Sequence, residues 1–264
     1  MPDKDSQPTP YPDVNKVLEE LLRRAKSILG EQFFAMYLYG SLSSGDFNPA
    51  TSDVDFLVVT TSRLPEHTIA ALEKMHTELQ ESGLPWADHL EGRYLPKDEL
   101  RRHELGRAPT PNINEGKFYM DSEGSDWIIQ RDVIRAGVTL AGPPPETLID
   151  PVPPEHLRES VLRIMDEWWA PMLDKPDFLQ NGGYQSFAVL TMCRTLYTLE
   201  HGQIASKPVS ARWAIGALEP RWAQLIETAL AMEHNSPTDI LDETLAFIRF
   251  TRDRCAGFER RELQ

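Results

Sequence analysis

The residues with the clearest chemical potential are a Gly-Ser pair, Gly40-Ser41, and two aspartates, Asp53 and Asp55, with eleven residues (42–52) between the pairs. Tyr37-Leu38-Tyr39 runs into the first pair, and Phe56-Leu57-Val58-Val59 runs out of the second. Each pair therefore abuts an apolar strand. Gly40 has no Cβ, so a phosphate can come close to the backbone. Ser41 adds a hydroxyl donor, and backbone N–H groups at such a turn form a concave anion site, more so if a helix starts there. Asp53 and Asp55, two residues apart, point to one face of a strand. Carboxylates so placed repel each other unless a cation lies between them. Mg²⁺ suits the position, because it takes one or two carboxylates and completes its shell with phosphate oxygens. The chemistry implied is transfer at phosphorus, with the metal neutralising charge and activating the attacking oxygen. Asp-X-Asp alone is common in turns, and Gly-Ser alone is weak. The two at this separation, each against a strand, are specific.

A third carboxylate is expected, as metal ligand or general base. Asp88 and Glu91 are the candidates, in Asp88-His-Leu-Glu-Gly-Arg-Tyr-Leu95. Gly92 leaves room beside Glu91, and on a strand His89, Glu91 and Arg93 share a face. An exposed edge-strand glutamate is the competing reading of Glu91.

The elements that position these groups follow from periodicity. Asp13–Leu29 reads as an amphipathic helix ended by Gly30. Strands are expected at Phe33–Tyr39, Phe56–Thr60 and Ala87–Leu95, with a helix from Pro65 to Ser82 before the third. Lys97–Gly124 is polar and aperiodic, which suggests a long surface segment. Trp127–Arg135 looks helical. A proline cluster from Pro143 to Pro154 marks a linker. Beyond it only helices are expected, at Glu155–Leu173, Tyr184–His201, Pro208–Leu218, Arg221–Glu233 and Pro237–Cys255. The expected fold class is α+β: an α/β domain at 1–148 and an all-helical domain at 149–264.

Composition narrows the function. The chain has 264 residues, 41% of them hydrophobic, with 27 Lys and Arg against 41 Asp and Glu and a formal charge of −14. A polyanionic nucleic acid normally needs a basic surface, so none is expected as substrate. An acidic cleft would favour a cationic small molecule. No stretch approaches the length of a membrane helix, and Met1–Pro12 reads as a polar, frayed tail without signal-peptide character. Cys193 and Cys255 lack metal spacing and read as buried thiols of a reducing cytoplasm. No histidine pair has ligand spacing, so zinc is not expected. Trp168, Trp169, Trp213 and Trp222 read as core packing first, although they could stack on a base. A cytoplasmic monomer is expected.

At the Gly-Ser and Asp-X-Asp residues the chain resembles the nucleotidyltransferase superfamily that includes DNA polymerase beta. Along nearly its whole length it is similar to the streptomycin/spectinomycin, or aminoglycoside (3″)(9), adenylyltransferases. Tyr39-Gly40-Ser41 and Ser52-Asp53-Val54-Asp55 match that family's metal and triphosphate site, and Glu91 matches its catalytic base. Thr139-Leu-Ala-Gly-Pro143 and Asp150-Pro-Val-Pro153 match its interdomain segment. Leu190-Thr-Met-Cys-Arg194-Thr-Leu-Tyr197 and Ile204-Ala-Ser-Lys207, with Arg212-Trp-Ala214, match its helical-domain motif. The resemblance implies a polymerase-beta-like nucleotidyltransferase domain, a helical domain, and an active site in the cleft between them. It implies that Asp53, Asp55 and Glu91 hold Mg²⁺, as two ions, and that Gly40, Ser41, Ser52, Arg194 and Lys207 bind ATP as co-substrate. ATP carries more charge than two aspartates can cradle, so cations from the helical domain fit the need. The reaction implied is O-adenylylation of a small hydroxyl compound, an aminoglycoside by the family's habit.

The acceptor side departs from the family. The segment Gln180-Asn-Gly-Gly-Tyr-Gln-Ser-Phe187 has no carboxylate where the family places its aminoglycoside-binding acids. No tryptophan lies between Leu100 and Phe118, and Phe250 stands in place of a nucleotide-contacting tyrosine. Asp126, Asp174 and Asp177 could supply carboxylates, and surface charges or helix caps are the competing reading. Two other functions compete: a protein AMP-transferase, which needs an exposed docking groove, and a non-catalytic nucleotide-binding regulator, which has no need of both aspartates.

Overall fold

The structure is a computed structural model that describes residues 7–101, 107–114, 116–122, 124, 126–233 and 237–262. Residues 1–6 of the expected tail, and 102–106, 115 and 123 of the expected surface segment, lie outside the described residues. The chain divides into two compact units: Met1–Phe47 with Ser52–Pro151, and Val152–Gln264 with Asn48–Thr51.

The first unit opens with helix α1 (Pro12–Leu29), which buries Val14, Val17, Leu18, Leu21, Ala25 and Leu29 along one stripe. Gly30, at φ +52°, ends it. Strand β1 (Phe33–Leu38) leads to a single helical turn, α2 (Ser41–Ser44). Then come β2 (Val54–Thr60), α3 (Glu66–Glu81), β3 (Leu90–Pro96), the short α4 (Lys97–Leu100), β4 (Thr110–Asn114), β5 (Lys117–Asp121), α5 (Asp126–Arg135) and β6 (Val138–Ala141). The strands form one sheet in the order β5-β4-β3-β2-β1-β6. Only β2 and β3 run parallel, with α3 as the connection between them, and every other neighbouring pair is antiparallel.

Alternation along the strands gives the sheet two different faces. Met36, Leu38, Phe56, Val58, Leu90 and Tyr94 pack against the apolar stripes of α1 and α3. Ala35, Tyr37, Leu57, Val59 and Leu95 pack on the other face, with Trp127 and Ile134 of α5 and with Ile149. Asp55, Glu91 and Arg93 fall on this second face by the same alternation.

Several expectations need correction. Lys97–Gly124 is not one irregular surface segment. It contains α4 and the β4–β5 hairpin, whose residues Thr110↔Asp121 and Asn112↔Tyr119 pair. The proline-rich linker is structured at its start, where Pro145–Thr147 forms a 3₁₀ turn, and so is the chain just before it. Val138–Ala141 pairs with β1, and the Tyr37 hydroxyl donates to the Pro143 carbonyl at 2.7 Å. The third strand begins at Leu90; Ala87–His89 is a 3₁₀ turn, so His89 does not share a strand face with Glu91.

His76 of α3 lies in the first core at 2% exposure. Its Nε2 is 2.8 Å from the Tyr94 hydroxyl, and its Nδ1 is buried without a partner. Burial pulls its pKa down to about 3. The native state therefore holds His76 neutral while the unfolded chain protonates it near 6.5, so this stability is present above pH 6.5 and is lost as pH falls toward 3. Between pH 7 and 4.5 the wild type should lose about 2–3 kcal/mol more than His76→Gln, read as urea midpoints at both pH values. Equal losses would refute the assignment.

The second unit is helical: α6 (Pro154–Ile164), α7 (Gly182–His201), α8 (Lys207–Ala217), α9 (Ala223–Ala231) and α10 (Leu241–Glu262). The helix expected at Glu155–Leu173 changes character at Met165. A π turn covers Met165–Trp169 and a 3₁₀ turn, with Pro171 in it, covers Ala170–Leu173. Asn181 caps α7, accepting the Tyr184 N–H at 3.0 Å, and Gly202 at φ +65° ends it. Ser206 caps α8 with Pro208 in its first turn, as the sequence predicts. Trp169 and Trp222 are core residues, but Trp168 is exposed and touches Phe178 edge-on. Burial pushes the thiols of Cys193 and Cys255 up to about 12, so both are inert packing groups.

Candidate active site

The site is built where β1 ends, β2 begins and β3 lies alongside. Gly40 takes φ +68°, which only glycine adopts freely, and it starts the turn Ser41–Ser44. The Gly40 carbonyl accepts from the Ser44 N–H at 3.1 Å and from the Ser43 hydroxyl at 2.9 Å. The first N–H groups of such a turn have no helical partner of their own. The Asp55 carboxylate lies directly on Gly40: a Cβ there would strike its Oδ2 and stand 2.8 Å from its Cγ. The Tyr39 N–H fixes the pair by donating to the Asp55 carbonyl at 3.1 Å. The glycine thus serves two needs at once, a left-handed turn and space for the carboxylate.

Asp55 and Glu91 are register partners across the parallel pair β2–β3. Adjacent strands lie about 4.8 Å apart, and paired residues point to one face. Gly92, next to Glu91, is required on the opposite face, where a Cβ would sit 2.5 Å from the Phe56 carbonyl oxygen. Asp53 precedes β2, and its Oδ1 is 3.5 Å from His89 Nδ1. Asp88, the alternative to Glu91, lies in the preceding turn with its side chain open to solvent. Ser41 and Ser52 are half-buried at the two ends of the loop between the motifs.

Among the described residues no three His, Cys, Asp or Glu side chains are grouped so that together they could hold a metal ion. Mg²⁺ does not require such a group, since it binds through one or two carboxylates plus substrate phosphates and water. The all-oxygen donors Asp55 and Glu91, side by side with Asp53 at the strand entrance, fit that open arrangement.

Around the carboxylates stand groups whose partners in the fold the sequence does not show. Arg93 is buried at 8% exposure. Its Nε donates to Asn112 Oδ1 at 2.8 Å, an Nη2 contact reaches Asp121 at 3.2 Å, and the guanidinium lies 4.8 Å from the Trp127 ring centroid. The Tyr39 hydroxyl is held well above its usual range, first by burial and then by Asp55 and Glu91. The Asp126 carboxyl is raised by the protein mass around it, against the pull of Arg93, although the residue keeps an edge in solvent. Tyr39 had a visible signal, its place directly before Gly40-Ser41. Arg93 had another, its position two residues after Glu91.

In the second unit, Arg194 lies mid-way along α7 and Lys207 opens α8. Lys207 Nζ sits 4.7 Å above the Phe187 ring. Phe187 precedes Arg194 by two helical turns and so shares its face. Asp174 and Asp177 are exposed in the segment before α7.

Comparison with known proteins bears on the family of both units. Residues 15–110 match the nucleotidyltransferase domain, and residues 147–254 match the aminoglycoside adenylyltransferase C-terminal domain. An aminoglycoside (3″)(9) adenylyltransferase of Shigella flexneri is 30% identical over 90% of this chain and 94% of its own length. One of Escherichia coli is 29% identical over 91% and 94%. A spectinomycin adenyltransferase of Enterococcus faecialis, solved with ATP and spectinomycin, shares the fold with a TM-score of 0.70 at 16% identity, covering 91% of this chain and 98% of that one. With a nucleotidyltransferase motif folded around paired carboxylates, and relatives matched over nearly their full length, the chain belongs to the aminoglycoside (3″)(9) adenylyltransferase family.

Proposed function

We propose that this protein transfers AMP from Mg-ATP to a hydroxyl of an aminoglycoside-like small molecule and releases pyrophosphate. The observation that carries the reading is the pairing of Asp55 with Glu91, against a glycine that leaves room for the carboxylate. Residues 1–148 act as the nucleotidyltransferase domain and 149–264 as the helical domain. Glu91 takes the proton of the acceptor hydroxyl. The oxygen then attacks the α-phosphorus in line, the bond from that phosphorus to the bridging oxygen of the β-phosphate breaks, and pyrophosphate leaves with the electron pair. Asp53, Asp55 and Glu91 would hold the Mg²⁺, as two ions. Bound there, the metal supplies charge neutralisation and lowers the cost of forming the nucleophile. Gly40, Ser41 and Ser52 cradle the triphosphate, and Arg194 and Lys207 bring positive charge to it. The protein works as a cytoplasmic monomer without nucleic acid, and adenylylation would protect a cell from the antibiotic modified.

Gly40→Ala tests the carriage of the site. The new Cβ meets both the left-handed backbone and the Asp55 carboxylate. The variant should lose about 1–3 kcal/mol of stability and at least about 10²-fold in kcat, measured by thermal unfolding and steady-state kinetics. Near-wild-type turnover would contradict the geometry.

The reading itself is tested by mass spectrometry of streptomycin, spectinomycin and other amino alcohols after incubation with enzyme and Mg-ATP. An AMP ester on one of them is expected. Labelled AMP on added protein and on none of the small molecules would replace this reading with a protein AMP-transferase.

A further inference from the structure

Among the described residues Trp86 is the one non-glycine residue with a positive φ, at +71°. A bulky side chain takes that left-handed conformation only where its surroundings hold it there. Trp86 opens the 3₁₀ turn Ala87–His89, and its carbonyl accepts from the His89 N–H at 3.2 Å. The indole touches two other rings, with its centroid 5.1 Å from that of Phe47 and 5.4 Å from that of His89. Phe47 is buried and packs in turn on Tyr11, at 4.7 Å. A row of four rings therefore runs from the start of α1 to His89, all of it inside the first unit.

Two members of the row meet the candidate site. Phe47 lies midway between Ser41 and Asp53, on the loop that joins the Gly-Ser and Asp-X-Asp motifs. His89 closes the row, and its Nδ1 stands 3.5 Å from Asp53 Oδ1. The other ring nitrogen faces Asp88 Oδ1 at 3.7 Å, a carboxylate open to solvent. Exposed contacts of that kind add little to the fold. The strain at Trp86 thus has its use in what the turn positions, a half-exposed imidazole beside Asp53.

We propose that His89 is a positioning residue for Asp53: an N–H at Nδ1 donates to Oδ1 and holds the carboxylate in one orientation before Mg-ATP arrives. The inference rests on the reading of Asp53 as a metal ligand. Carboxylates that bind a metal are themselves held by outer hydrogen bonds, which fix the ligand ahead of the ion. One neutral tautomer of the imidazole supplies the N–H. At 3.5 Å the contact is long, as such bonds often are before substrate binds, and a small turn of the Asp53 side chain closes it. Neither ring nitrogen has to touch the nucleotide.

The test is calorimetric binding of α,β-methylene ATP, which cannot give up AMP, to the full chain with Mg²⁺ and with the metal chelated. The ratio of the two Kd values measures what the metal adds. In His89→Ala the ratio should fall by about tenfold, with the metal-free Kd and the Tm little changed. His89→Asn, whose amide N–H stands where the Nδ1–H does, should restore most of it. In Asp53→Asn the metal's contribution should be lost, and adding His89→Ala should then remove nothing further. An unchanged ratio in His89→Ala beside a reduced one in Asp53→Asn overturns the positioning role and leaves the metal site standing. A ratio unchanged in Asp53→Asn as well overturns both. A weaker metal-free Kd in His89→Ala also overturns the positioning role, because the imidazole would then be touching the phosphates.

Discussion

Asp55→Asn is expected to lower kcat for AMP transfer by about 10³-fold while leaving the fold as stable as the wild type, or more so. The side chain is pressed on Gly40 and paired in register with Glu91. Asparagine keeps the volume, so the packing on Gly40 survives. It removes the charge that would hold the metal against the phosphates. It also removes the repulsion between neighbouring carboxylates on one sheet face. A group placed for packing would show the reverse pattern, with stability falling and activity following it. Thermal unfolding beside steady-state kinetics separates the two. A lowered Tm with little change in kcat would mean that Asp55 is structural.

Glu91→Gln is the second large effect. As general base, Glu91 contributes about 10²–10⁴-fold. Glutamine on β3 keeps the strand pairing and the neighbouring Gly92–Phe56 contact, but cannot take a proton from the acceptor hydroxyl. The expected result is a single-turnover rate down by that factor, with ATP affinity changed much less than by removing a cation from the triphosphate. Arg194→Ala gives the contrast, since it should act mainly on ATP binding. If Glu91→Gln transfers AMP at the wild-type rate, the base is another group. The Asp126 carboxyl, raised by its surroundings, would be the next to replace.

Much of the site was readable in one dimension because its signals are local. A glycine before a helical turn, a serine beside it and Asp-X-Asp before an apolar strand each depend on residues a few positions away. The long helices α1, α3 and α7 were readable for the same reason, through stripes such as Val14, Val17, Leu18 and Leu21. The parallel register of Asp55 with Glu91 was not, because it arises from two strands separated by all of α3. The β4–β5 hairpin was hidden by its composition. Asn112, Asn114, Lys117 and Asp121 face polar surroundings or solvent, so the hairpin lacks the apolar alternation that marks a strand. Strand β6 was hidden by brevity, four residues against a run of prolines. Arg93 shows a third limit. Its position was plain, but its role as a buried cation held by Asn112 and Trp127 depends on β4 and α5, which pack against it from elsewhere in the chain.

The central claim is that the Asp53, Asp55 and Glu91 centre carries out AMP transfer to a small acceptor. Pyrophosphate release from Mg-ATP, measured across a panel of aminoglycosides and other amino alcohols, tests it most directly, with the Asp53→Asn, Asp55→Asn double variant as control. Release that appears only with a particular acceptor, and vanishes in the double variant while the variant stays folded, is the predicted result. Release that persists in the double variant, or no release with any acceptor from a wild type that binds Mg-ATP, would contradict it.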